Sequence, residues 1–190
     1  KRKLKKKLII YELNELPYKL FKNFITNYPN SNLAKIYNEG SLTITDTDDG
    51  GELHPWSTWP TFHMGVNNKL HNYQYLNQDV HKDDIFRPIW DELLAKNFTI
   101  GIYGLLQSRI SDVLNKKIKF YIPDTFNSDS KCIPEKLNPI QNFNDLLLSN
   151  YLFIKVKFSE IIFNYLKLLK EGFLSKRINF ILLIQIIRES

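Results

Sequence analysis

The first apolar run, Leu8 to Leu13, is short and nearly unbroken and predicts a buried strand. Pro17 then stands where a helix can begin, followed by Leu20, Phe21, Phe24 and Ile25 at helical spacing. Asn30 to Glu39 predicts a second short helix stopped by Gly40, and Leu42 to Thr45 a strand. From Asp83 to Lys96 the apolar positions Ile85, Phe86, Ile89, Trp90, Leu93 and Leu94 repeat with helical period. Phe98 to Tyr103, closed by Gly104, reads as the buried strand that follows, and another strand is expected at Ile118 to Ile122, before the turn at Pro123-Asp124. Strands alternating with helices imply an α/β fold, a mostly parallel sheet with helices on both faces.

Beyond Asn142 the pattern turns helical, over Leu146 to Leu169 and again over Leu174 to Ile187, with Gly172 as the break. These helices carry many apolar residues and are expected to pack on each other or on a partner surface. The predicted organisation is a basic tail at 1–7, an α/β portion at 8–141 and a helical segment at 142–190 that serves as an insertion or cap.

A chain of 190 residues with 43% hydrophobic content is long enough to bury one core and is too apolar for disorder. The net charge of +6 comes from Lys1, Arg2, Lys3, Lys5, Lys6 and Lys7, and the other residues balance. No aromatic platform or groove motif accompanies this run, so it reads as a solvated, frayed terminus with no nucleic-acid partner. The single cysteine, Cys132, excludes an internal disulfide framework and leans towards a reducing, cytoplasmic compartment. Leu8 to Tyr11 stops at Glu12, and Phe180 to Ile187 is short and contains Gln185, so neither a signal peptide nor a transmembrane span is expected. The chain begins with Lys1 and its one methionine is Met64, so upstream sequence is expected too.

The stretch Glu52 to Tyr73 concentrates the chemistry: two tryptophans, two prolines, His54, His63 and His71, and the hydroxyls Ser57, Thr58 and Thr61. A threonine just before a proline at a helix entrance lies near unpaired backbone N–H groups, where phosphate or sulfate is favoured. Such an alcohol is a poor nucleophile until a base or a divalent metal stabilises its alkoxide. The three histidines also admit a local zinc site, although their spacing matches no standard ligand pattern. Asp46, Asp48 and Asp49 lack the full calcium-loop pattern and read as a solvated turn; Asp124 reads as an ordinary turn residue.

Thr58-Trp59-Pro60, then Gly65, then His71-Asn72 resembles the nucleophile segment of the alkaline phosphatase superfamily, in its type I phosphodiesterase, nucleotide pyrophosphatase and sulfatase-like branch. That family sets a threonine in a Thr-aromatic-Pro context, followed by a helix, a Gly and a His-Gly pair. The run Tyr11-Glu12-Leu13-Asn14-Glu15, Ile89 to Leu93, Phe98 to Gly104 and Phe120 to Phe126 extend the resemblance over about three quarters of the chain. It implies an alkaline-phosphatase-like α/β fold of which this is the amino-terminal portion. It implies a hydrolase of small phosphoric or sulfuric esters, with Thr58 as nucleophile and as ligand to one of two divalent ions, zinc or manganese. Asn14 would be a ligand to the same cluster, Glu12 a further candidate on the same strand face, and Trp59, His63 and His71 substrate-binding or supporting groups.

Two departures qualify what the resemblance carries. Asn14 replaces the commoner aspartate and offsets less cationic charge. The family completes its metal centre with downstream Asp and His residues, whereas this chain has no histidine after His81. The remaining ligands are therefore expected beyond residue 190 or on a neighbouring chain. The alternative is a catalytically inactive remnant or anion-binding module of the same superfamily.

Overall fold

The computed structural model describes residues 7–76, 78, 85–110, 117–126, 131–151 and 157–174, the side chains of 150 and 151 excepted. Most of the basic tail, His81, the start of the helix expected at Asp83 and the helix expected beyond Leu174 lie outside the described residues.

The chain is mixed α/β. The helices, in order, are α1 (Tyr18–Asn27), α2 (Asn32–Glu39), α3 (Pro55–Met64), α4 (Asn68–His71), α5 (Ile89–Ala95), α6 (Asn138–Tyr151) and α7 (Phe158–Lys170). Between α5 and α6 come β1 (Gly101–Tyr103) and β2 (Phe120–Ile122), which pair in parallel with Gly101 opposite Phe120 and Tyr103 opposite Ile122.

Local chemistry sets the boundaries. Pro17 precedes α1 with φ at −64°, and the Ser31 side chain accepts the Ala34 N–H at 3.2 Å to cap α2. Pro88 opens α5 later than the apolar periodicity predicts, because proline drives the residue before it out of helical geometry. At the far end of α5, Asn97 takes a left-handed φ of 61°, and Phe98 N–H bonds back to Leu93 C=O at 3.0 Å. Gly172 closes α7 in the same way, at φ 74° with Phe173 N–H on Leu168 C=O at 3.0 Å, as its place in the sequence predicts.

Among the described residues two apolar clusters form. Trp90 and Leu94 of α5 pack with Ile102, Ile118 and Tyr121, and Trp90 Nε1–H donates to Arg109 C=O at 2.8 Å, which keeps the indole satisfied in the interior. Phe143 of α6 packs with Ile161, Tyr165 and Leu168 of α7, so the stretch read as one helix over Leu146 to Leu169 holds two, the first ending at Tyr151 and the second starting at Phe158, which cover each other. Helix α6 begins at Asn138, four residues before the helical boundary read from the pattern, because a turn of 3-10 helix at Glu135–Leu137 leads directly into it.

The sheet is smaller than the pattern predicts. Leu8 to Leu13 and Leu42 to Thr45 are neither helix nor strand and pair with no strand among the described residues. An extended segment becomes a strand only when a neighbouring edge takes up its N–H and C=O groups. Leu8, Ile9 and Tyr11 stand 81%, 86% and 80% exposed, so this apolar run is uncovered instead of central. Ile102 and Tyr121 face the α5 cluster; on the other side Gly101, Tyr103 and Phe120 are exposed while Ile122 is buried, and Asn144 of α6 donates to Tyr103 Oη at 3.4 Å.

Candidate functional site

Helix α3 is the frame of the site. Pro55 takes its first position, where a missing N–H costs nothing, and Gly65 ends it at φ 70° with its N–H on Thr61 C=O. His54 precedes the helix and offers no side-chain cap. Thr58 lies in the first turn, half-buried, and its Oγ1 donates to His54 C=O at 3.1 Å. A carbonyl oxygen orients this hydroxyl but is no base at neutral pH, so activation has to come from another group.

The segment that follows the exposed apolar run comes back to this helix. Trp59 Nε1–H donates to Asn14 Oδ1 at 3.1 Å, across forty-five positions of sequence. Four residues further along the same helix face, His63 Nε2 meets both Glu12 carboxylate oxygens at 3.1 and 3.2 Å. The His63 ring is buried and packs edge-on to Trp90 at 5.0 Å, which ties this face of α3 to the α5 cluster. Asn14 is presented by a turn in which Glu15 adopts φ 52°, an uncommon conformation for a residue with a Cβ. Glu12 and Asn14 are thus brought to the helix that carries Thr58, Trp59 and His63.

His71 sits elsewhere, in a cluster on the other side of Thr58. Tyr73 N–H donates to His71 Nδ1 at 3.0 Å, so the neutral ring carries its proton on Nε2. Nε2–H then donates to Thr61 Oγ1 at 2.8 Å, and the Thr61 hydroxyl donates to the Asp49 carboxylate, at 2.7 and 2.9 Å to its two oxygens. Asp49 also accepts Asn68 N–H at 2.7 Å, and the Asn68 side chain bonds Gly50 N–H, Gly50 C=O and Ser57 Oγ. In this direction of donation His71 cannot take the Thr61 proton, and Thr61 is a link in a network instead of an activated alcohol.

Asp49, Thr61, Asn68 and Ser57 were not legible as a cluster, because the bonds that join them span eleven to nineteen positions. Asp46 and Asp48 are exposed, as a solvated turn would have them, but Asp49 is half-buried and fully engaged. Asp124 behaves as the turn residue expected, accepting Phe126 N–H at 2.9 Å. The three histidines of this segment have different partners: Glu52 and the Trp56 ring for His54, Glu12 for His63, Thr61 for His71. Among the described residues no three His, Cys, Asp or Glu side chains converge on one point. Asn14 keeps a second oxygen lone pair beyond the one Trp59 uses, whereas the Glu12 carboxylate is taken up by His63.

The chain matches no protein-family model, no curated protein and no solved structure. Among the described residues no helix is long and apolar enough to cross a membrane.

Proposed function

We propose that this chain supplies the nucleophile half of a metal-dependent phosphoric or sulfuric ester hydrolase related to the alkaline phosphatase superfamily, with Thr58 as the attacking alcohol. The observation that carries the reading is the return of residues 12–14 to α3, where Asn14 meets Trp59 beside Thr58. Trp59 is the residue after Thr58, so this contact brings the candidate first ligand to the helix of the candidate nucleophile, which supports the reading, and nothing in the local sequence enforces it. A second feature agrees. The family's His-Gly pair is His71-Asn72 here, and Asn72 adopts a left-handed φ of 59°, the conformation a glycine would serve, which asparagine tolerates better than most residues.

In this reading the ester's phosphorus or sulfur is attacked by Thr58 Oγ, the ester oxygen leaves, and water later releases the acid from the threonine. The half-buried Thr58 hydroxyl is held by His54 C=O, which also accepts the Ser57 and Thr58 N–H groups, and Pro55 has none, so an anionic ester at this turn would draw on Trp56 N–H and the positive end of the helix dipole. Divalent zinc or manganese would lower the cost of forming the alkoxide. Asn14 and Thr58 are the ligands this chain would contribute. Glu12 would have to leave His63 to join them, and the rest of the set would come from sequence outside the described residues. With so few ligands in place, no reaction step here is assigned to the metal.

The second reading, an anion-binding module without turnover, is favoured by one observation: the 190 residues contain no histidine after His81. Metal content and hydrolysis of a chromogenic phosphodiester, measured on the purified chain with added zinc or manganese, separate the two. Stoichiometric metal with turnover that Thr58→Ala abolishes supports the hydrolase. Phosphate or sulfate binding without metal and without turnover supports the module.

A further inference from the structure

We propose that Asp49, Thr61 and His71 form a positioning relay that fixes the first turn of α3, and with it Thr58, by holding His71 in the Nε2–H form. The inference rests on the Thr58 reading for its functional meaning, but its structural content stands alone.

Three segments far apart in sequence meet in the relay. The 46–51 loop contributes Asp49 and Gly50, α3 contributes Ser57 and Thr61, and α4 with its exit contributes Asn68, His71 and Tyr73. Ser57 precedes Thr58 by one position and Thr61 follows it by three, so both anchors lie within one turn of the candidate nucleophile. Ser57, Asn68 and His71 are buried, at 3%, 6% and 7% exposure, so water does not compete freely for these bonds.

The order of donation is fixed at both ends. Tyr73 N–H can only donate, which makes Nδ1 the acceptor and Nε2 the donor of the neutral ring. Asp49, receiving Asn68 N–H and the Thr61 hydroxyl, serves as acceptor at the other end. Thr61 is the one link able to accept from the ring and donate to the carboxylate at once, which a hydroxyl does and a methyl does not. Because the 46–51 loop leads through residues 52 and 53 into His54, whose carbonyl receives the Thr58 hydroxyl and the Ser57 and Thr58 N–H groups, holding the loop also holds the acceptor that orients Thr58.

The test is nitrogen-15 NMR on the full chain, with the isosteric variant Thr61→Val and the rescue variant Thr61→Ser. In the wild type, long-range correlations place the His71 proton on Nε2, and that proton gives a slowly exchanging resonance. Thr61→Val is expected to lose the resonance and to speed amide exchange at Ser57 and Thr58 by about tenfold or more, while Thr61→Ser restores both. His71 found as the Nδ1–H tautomer, or exchange at Ser57 and Thr58 unchanged in Thr61→Val, overturns the relay. Neither readout depends on turnover, so a failed Thr58→Ala activity test would overturn the hydrolase reading and leave the relay standing.

Discussion

At the scale of single residues, Thr58 and Cys132 make separable predictions. Removing the Thr58 hydroxyl loses one part-buried hydrogen bond to His54 C=O, so Thr58→Ala is expected to cost only about 0.5–1.5 kcal/mol in a denaturant titration while removing any ester hydrolysis. Full activity in that variant would show that another group is the nucleophile. Cys132 is 2% exposed, and burial, with a smaller contribution from the Asp145 carboxylate, pushes its thiol up to about 11 from an ordinary 9.0. The thiol should therefore resist alkylation at neutral pH until the chain is unfolded, which a thiol-reagent time course reads directly. Because the folded state holds this proton more tightly, the stabilisation is fully present below pH 9.0 and declines as pH rises towards 11. Thermal melts across that window should show a decline that is smaller in Cys132→Ala.

At the scale of elements, the glycines at 101 and 172 do different work. Gly101 faces Phe120 across the parallel pair, and a Cβ there would overlap the Phe120 ring. Gly101→Ala is expected to displace that ring and cost about 1–3 kcal/mol, seen as a lower unfolding midpoint and a changed Phe120 environment. Gly172 has nothing near its missing Cβ but sits at φ 74°, so Gly172→Ala strains the backbone alone and should cost about 1–2 kcal/mol without disturbing any neighbour. Helix caps of this kind were legible in the sequence because they depend on one or two residues. The late start of α5 was missed because apolar periodicity continues through Ile85 and Phe86, while Pro88 sets the start.

At the scale of the whole molecule, the two apolar clusters share no buried residue and are joined by polar bonds, Gln141 Nε2 to Asp124 C=O at 3.3 Å and Asn144 Nδ2 to Tyr103 Oη at 3.4 Å. Polar links of this length couple weakly compared with shared packing. Phe143→Ala should therefore destabilise the α6–α7 pair by about 3 kcal/mol, with hydrogen exchange rising across 138–170 and little changed at β1 and β2. Exchange rising equally in both regions would show one cooperative unit. The uncovered apolar residues Leu8, Ile9, Tyr11 and Ile44 also belong to this scale, since whether a segment becomes a strand depends on the edge it meets.

The sequence by itself determined the first two helices, the Gly40 and Gly172 stops, the parallel pairing of the strands before Gly104 and Pro123, and which stretch holds the hydroxyls and histidines, because propensity, capping and periodicity act over a few residues. Tertiary structure alone decided that Leu8 to Leu13 pairs with no strand among the described residues, that Glu12 and Asn14 return to α3, and that Thr61 lies between His71 and Asp49. Those outcomes depend on partners ten to fifty positions apart, and the chain reaches them only when packing brings separate segments together.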